Sequence, residues 1–205
     1  KVTTVNATTS RVEVNSVNPV VTLLGIPSFT AGGGSGGVDL LNPVGTNTND
    51  TIVVTTTSVQ VTSIGTGGPA GPIINFDPNM DALFVDGGLG NDTITATTTP
   101  TIATTLAGGE GNDTINGAAG AEFIDGGRGD DSLHGGAGAD SLQGGEGNDF
   151  LDGDGGADEM FGGDGSDLFV WDPGDGSDLI EGGNDVDILR FNGSSTFANE
   201  VFNLF

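Results

Sequence analysis

Between Gly108 and Val170 an apolar side chain returns at every ninth residue, and the intervening positions are almost wholly glycine and polar. Successive units read GGEGNDTIN, GAAGAEFID, GGRGDDSLH, GGAGADSLQ, GGEGNDFLD, GDGGADEMF and GGDGSDLFV, on the frame G-G-x-G-x-D-x-U-x with U apolar. A helix requires apolar residues three and four apart and an ordinary strand requires alternation, and a period of nine is neither. The unit divides instead into a six-residue glycine turn closed by an acid and a three-residue strand whose middle side chain is buried. Two units then make one coil of a parallel β-helix, each coil pairing with the next. The eighth position carries Ile94, Ile115, Ile124, Leu133, Leu142, Leu151, Met160, Phe169, Ile180 and Leu189 without a polar exception, so the register extends beyond the regular run on both sides.

The departures from the frame mark its edges. GGLGNDTIT, from Gly87, is a good repeat set apart by the insert Ala96–Ala107, which predicts a displaced partner turn. GAAGAEFID has Ala118 for the second glycine and Glu122 for the acid, and GDGGADEMF has Asp154 for the second glycine. WDPGDGSDLIE and GGNDVDILR keep acids Asp178 and Asp187 but lose regularity around Pro173 and at Asp185, so they read as edge turns with weaker sites. The predicted fold is all-β: a parallel β-roll over 87–191, followed at 192–205 by a cap or a strand cut short.

Residues 1–86 differ in kind. They are rich in Thr, Val, Asn and Gly, with only Glu13, Asp39, Asp50, Asp77, Asp81 and Asp86 as acids. SRVEVNSV and DTIVVTTTSVQVTSI alternate β-branched residues as strands do, and AGGGSGG and GTGGPAGP punctuate them with turns. GTNTNDTIVV sets Asp50 and Ile52 in the places of acid and apolar residue, as a decayed relative of the repeat. The region reads as an irregular Thr/Val-rich β-solenoid or small β-sandwich leading into the roll, with a partly disordered Thr-rich linker as the alternative.

Charge changes the picture. The chain has 29 acids against 4 Lys+Arg, for a net charge of −25. Of the acids, 22 lie between Gly87 and Arg190, opposed only by Arg128 and Arg190. Stacked coils would align these acids in rows. A core one side chain deep does not offset both that repulsion and the ordering of so many glycines. A cation bound in the rows removes the repulsion, and its binding free energy then becomes folding free energy.

The turns have the chemistry for one. Glycine at positions 1, 2 and 4 lets the backbone curl until its carbonyl oxygens face one point, and the aspartate at position 6 adds a short carboxylate. Such an all-oxygen set, in a chain with no cysteine and one histidine, suits Ca²⁺ better than Mg²⁺, which holds its waters, or Zn²⁺, which takes N and S ligands.

The repeat run resembles the calcium-binding β-roll of RTX (repeats-in-toxin, haemolysin-type) secreted proteins. The resemblance implies Ca²⁺ ions between turns two repeats apart, held by turn carbonyls and by bridging position-6 acids. It places Asp113, Asp131, Asp149, Asp167 and Asp187 in one row and Glu122, Asp140, Asp158 and Asp178 in the other, with Asp92 in the repeat that begins at Gly87. The glycines carried over as ligands are Gly108, Gly109 and Gly111; Gly126, Gly127 and Gly129; Gly135, Gly136 and Gly138; Gly144, Gly145 and Gly147; Gly153 and Gly156; and Gly162, Gly163 and Gly165. It further implies a secreted or cell-surface protein, export by a type I machinery, and folding delayed until extracellular calcium is met. The principal reading is a calcium-binding structural module. The alternatives are the secretion and folding appendage of an enzyme whose catalytic domain lies upstream, and an adhesin or self-assembling surface-layer unit.

Other readings are weaker. Strong negative charge argues against nucleic acid and anionic membrane surfaces, and no apolar run reaches a membrane span. The glycine strings lack the lysine and helix of a phosphate cradle, and DGDGGADE lacks the closing Glu and flanking helices of an EF-hand. Periodic acid pairs point to structure rather than glycoside hydrolysis. His134 reads as a solvent-facing spacer, and Trp171, Phe161, Phe169 and Phe191 as a cap on the thin core. No catalytic residue is predicted.

Overall fold

The structure, a computed structural model, describes residues 28–31, 40–41, 49–55, 58–63, 73–76, 82–97 and 102–192. Two long sheets run the length of the described chain. The first orders β1 (Ser28–Ala31), β5 (Ile73–Phe76), β4 (Ser58–Ser63), β3 (Asp50–Val54), β7 (Thr93–Ala96), β9 (Thr114–Asn116), β11 (Ser132–His134), β14 (Phe150–Asp152), β17 (Leu168–Trp171) and β19 (Ile188–Phe191). The second orders β2 (Leu40–Leu41), β6 (Ala82–Leu89), β8 (Ala103–Glu110), β10 (Glu122–Arg128), β13 (Ser141–Glu146), β16 (Glu159–Asp164) and β18 (Leu179–Asn184). The short pair β12 (Ala137–Gly138) and β15 (Gly155–Gly156) joins two turns. All pairings are parallel except β3 with β4 and β4 with β5. This is a β-solenoid, all-β as the period predicts.

Each regular coil contributes its position-8 residues to the two sheets, one to each, and these form two columns. Ile52, Ile94, Ile115, Leu133, Leu151 and Phe169 are partners in the first sheet, and Val85, Leu106, Ile124, Leu142 and Met160 in the second. All eleven are essentially inaccessible, and together with their neighbours they form one core. Ile180 and Leu189, in the last coil, are only partly buried. Trp171 is buried and packs its ring 5.9 Å from that of Phe191, while Phe169 belongs to the core column itself.

The repeat at Gly87 is not displaced from its partner: Gly88 pairs with Gly109 and Ile94 with Ile115. The insert is absorbed as a coil of 21 residues where the regular coils have 18, because both its ends remain in ladder register and only the connection lengthens. The strands before Gly87 add to the same two sheets, β3 against β7 and β2 against β6, as the solenoid reading expects. The cap or strand expected at 192–205 lies, apart from Asn192, outside the described residues.

Candidate metal centre

Stacking at a constant rise places the position-6 acids in two rows, and both are ladders of hydrogen bonds. In the first row the backbone N–H of each acid donates to Oδ1 of the acid one coil on: Asp50 to Asp92 at 2.6 Å, Asp92 to Asp113 and Asp113 to Asp131 at 2.7 Å, Asp131 to Asp149 at 2.8 Å, Asp149 to Asp167 at 2.9 Å and Asp167 to Asp187 at 3.0 Å. In the second row Glu122 donates to Asp140 and Asp140 to Asp158 at 2.8 Å, and Asp158 to Asp178 at 3.0 Å. Every predicted acid takes its place, and Asp50 joins them. Asp50, Asp92, Asp113, Glu122, Asp131, Asp140, Asp149, Asp158 and Asp167 are at most 5% exposed.

One oxygen of each carboxylate is thus committed to the backbone. The other is not: Oδ2 of Asp92, Asp113, Asp131, Asp140, Asp149, Asp158 and Asp167 is buried and accepts no hydrogen bond from the protein. Its surroundings contain further acceptors. Asp149 Oδ2 and the carbonyl oxygen of Gly162 both crowd the space over Gly144 where a side chain would begin, and the same pairing recurs over Gly108, Gly126 and Gly162. Position 1 is therefore glycine because oxygens fill the place of its Cβ. Buried acceptors facing acceptors are costly unless a cation lies between them. The donor set is all oxygen, from short carboxylates and flexible carbonyls, and it fits Ca²⁺.

The turns curl as the frame requires. Gly145 and Gly147, at positions 2 and 4, have φ of 114° and 138°, in the region that side chains avoid. Where sequence breaks the frame the backbone does not follow: Asp154 and Asp185 adopt φ of 58° and 73° in the places of the missing glycines. GAAGAEFID behaves differently. The longer Glu122 folds back so that Oε2 accepts from Ala118 N–H at 3.1 Å, satisfying within its own turn the oxygen that the aspartates leave unpaired.

Burial raises the proton affinity of the rows. It pushes Asp131 and Asp158 up to about 7, and Asp92, Asp140 and Asp149 up to about 6, against 3.8 in the unfolded chain, with neighbouring acids of the same row adding to the rise. A folded-state pKa above the unfolded value stabilises the fold below about pH 4, and this contribution is lost as pH rises through 6 to 7. The metal-stripped chain is therefore expected to show more β signal in far-UV circular dichroism at pH 5 than at pH 7.5. With calcium present the proton is a competitor, and the calcium midpoint should rise on acidification. A metal-stripped spectrum independent of pH would contradict the burial of ionisable rows.

Sequence reading missed a second, exposed ladder beside the first row. Asn91, Asn112, Asp130, Asn148 and Ser166 each donate a backbone N–H to the side-chain oxygen of the position-5 residue one coil back, from Asn49 onward, at 2.8–3.2 Å. The signal was present: from Asn91 to Ser166 position 5 is Asn, Asp or Ser in that row, against Ala121, Ala139 and Ala157 in the other. Arg128 lies 3.6 Å from Glu110 and 3.4 Å from Glu146, an exposed bridge of small energetic worth.

Among known families, the RTX calcium-binding nonapeptide repeat matches in four copies, over residues 84–97, 103–133, 134–169 and 174–194. Curated proteins give no match to the chain. The four copies begin within β6 and end just past β19, so they cover every member of the two acid rows except Asp50. The chain belongs to the RTX calcium-binding nonapeptide repeat family.

Proposed function

We propose that this chain is a non-enzymatic structural module of a secreted or cell-surface protein, folded and stiffened by Ca²⁺ bound along its two acid rows. The observation that carries the reading is the set of seven buried Oδ2 atoms without a hydrogen-bond donor, each in a row that repeats coil by coil. In each site the ligands are the free oxygen of a position-6 acid and turn carbonyls of adjacent coils. Asp149, with Oδ1 on the coil before and Oδ2 toward Gly162 of the coil after, links three coils. An ion there ties together backbone that the thin core alone holds weakly, which turns a repulsive stack into a rod.

Millimolar extracellular calcium against a micromolar cytosol makes the same chemistry a compartment switch: expanded inside, rigid outside. Absence of cysteine removes the disulfides on which small exported domains commonly rely, and calcium supplies the missing cross-links. Among the described residues neither row is joined by a nucleophile and base in hydrogen-bonding geometry, and the periodicity of the acids serves stacking rather than a single reacting bond. Equilibrium dialysis against Ca²⁺ in excess Mg²⁺ tests the assignment. Several Ca²⁺ per chain are expected, and uptake of none would overturn it.

A further inference from the structure

The single histidine of the chain has company. His134 closes β11 and Asp152 closes β14, and the two are register partners, so their side chains leave the same face one coil apart. Asp154 follows at the position where the frame has glycine, and its left-handed backbone brings it back toward that face. Its N–H donates to Asp152 Oδ1 at 3.1 Å. His134 Nδ1 lies 3.8 Å from Asp154 Oδ2, and one ligand atom from each of the three residues falls within 4.8 Å of the others. The ring of Phe150 sits 5.3 Å from the imidazole, tilted 45° to it.

The His134–Asp154 separation is that of an ion pair when the imidazole is protonated, and it is also close to that of two ligands on one ion. At 3.8 Å the histidine and aspartate are beyond hydrogen-bonding range, whereas two ligands sharing a tetrahedral metal at about 2.1 Å stand roughly 3.4 Å apart. The donor set also differs from that of the rows, which are all oxygen. An imidazole nitrogen with two carboxylates selects a borderline transition ion over Ca²⁺.

We propose that His134, Asp152 and Asp154 form a site for one divalent transition ion of the Zn²⁺ class, separate from the calcium rows, with water completing the coordination. Such an ion fastens β11 to the turn after β14, at the one regular-run turn whose second glycine is an aspartate. The loss of glycine there is offset by a ligand that glycine cannot provide.

Because the chain has one histidine, its imidazole resonances report this site alone. Zn²⁺ is added to the untagged full chain in saturating Ca²⁺, and imidazole ¹H–¹⁵N correlations are followed with a chromophoric chelator in competition. One Zn²⁺ per chain should move the His134 signals to saturation. Asp154→Gly, which restores the frame, should weaken that binding at least about 10-fold and keep the calcium-induced circular dichroism transition. His134→Gln, in which β11 is otherwise unchanged, should abolish the high-affinity equivalent and leave the calcium midpoint in place. Zn²⁺ that leaves the His134 signals unmoved, or that binds Asp154→Gly as tightly as the parent chain, would overturn the site.

Discussion

Gly147→Ala is expected to destabilise the roll strongly. A Cβ there would lie in hard overlap with the carbonyl oxygen of Gly129, and the φ of 138° is one that alanine rarely adopts. The opposing atoms are backbone of the preceding coil, held by the ladder bond from Gly129 N–H to Glu146 O at 2.8 Å, so no side chain can swing aside. The expected cost is about 3 kcal/mol or more, which lowers the Tm of the calcium-loaded roll by about 12–24 °C. Gly155→Ala is the matched comparison. Its Cβ would meet only Gly136 O, at 3.9 Å, and its backbone is not left-handed. That variant should remain within about 1 kcal/mol of the parent, with the reduced entropy of the unfolded chain acting in its favour. Equal melting temperatures for the two variants would mean that the coils do not stack at the described spacing.

Asp149→Asn should act in opposite directions with and without calcium. The substitution keeps an acceptor for Asp131 N–H, 2.8 Å away, and removes a buried charge that Asp167 and Asp130 raise further in energy. In metal-stripped conditions it relieves repulsion and desolvation, so the variant should be as stable as the parent or more so. In calcium it replaces an ionised ligand by a neutral one, and affinity at the adjoining sites should fall by about an order of magnitude or more. Asp140→Asn, in the other row, should behave in the same way. A residue that served only as a hydrogen-bond acceptor would give the same small effect in both conditions. Calcium midpoints and metal-stripped melting curves of the same two variants decide between these cases.

Period nine made the roll legible because each letter of the frame answers a separate constraint. Glycine at positions 2 and 4 answers to backbone dihedral, glycine at position 1 to the oxygens over it, the acid to the ladder, and the apolar residue to the core. The family resemblance that this frame carries thus implied Asp113, Asp131 and Asp149 in one row and Asp140 and Asp158 in the other, and the ladder bonds place them so. Asp50 was visible as a relative of the repeat but not as a member of the row. The separation of 42 residues from Asp92 is made up by a coil that contains the antiparallel strands β4 and β5. Such an excursion leaves no periodic trace.

The insert before β8 misled for the related reason that a longer connection need not shift the register of its ends. Glu122 departs from the frame in the sequence itself, but that its extra methylene returns the carboxylate to Ala118 depends on three-dimensional reach. The cluster around His134 was illegible because its members stand 18 and 20 residues apart and meet only when coils stack.

The central claim is that calcium is the folding ligand of the acid rows. Far-UV circular dichroism of the metal-stripped chain at pH 7.5, titrated with Ca²⁺ and in parallel with Mg²⁺, tests it most directly. A cooperative gain of β signal with Ca²⁺, reversed by EGTA and absent with Mg²⁺, is the predicted result. A metal-stripped chain that already has its full β signal and gains nothing from either ion would contradict the account.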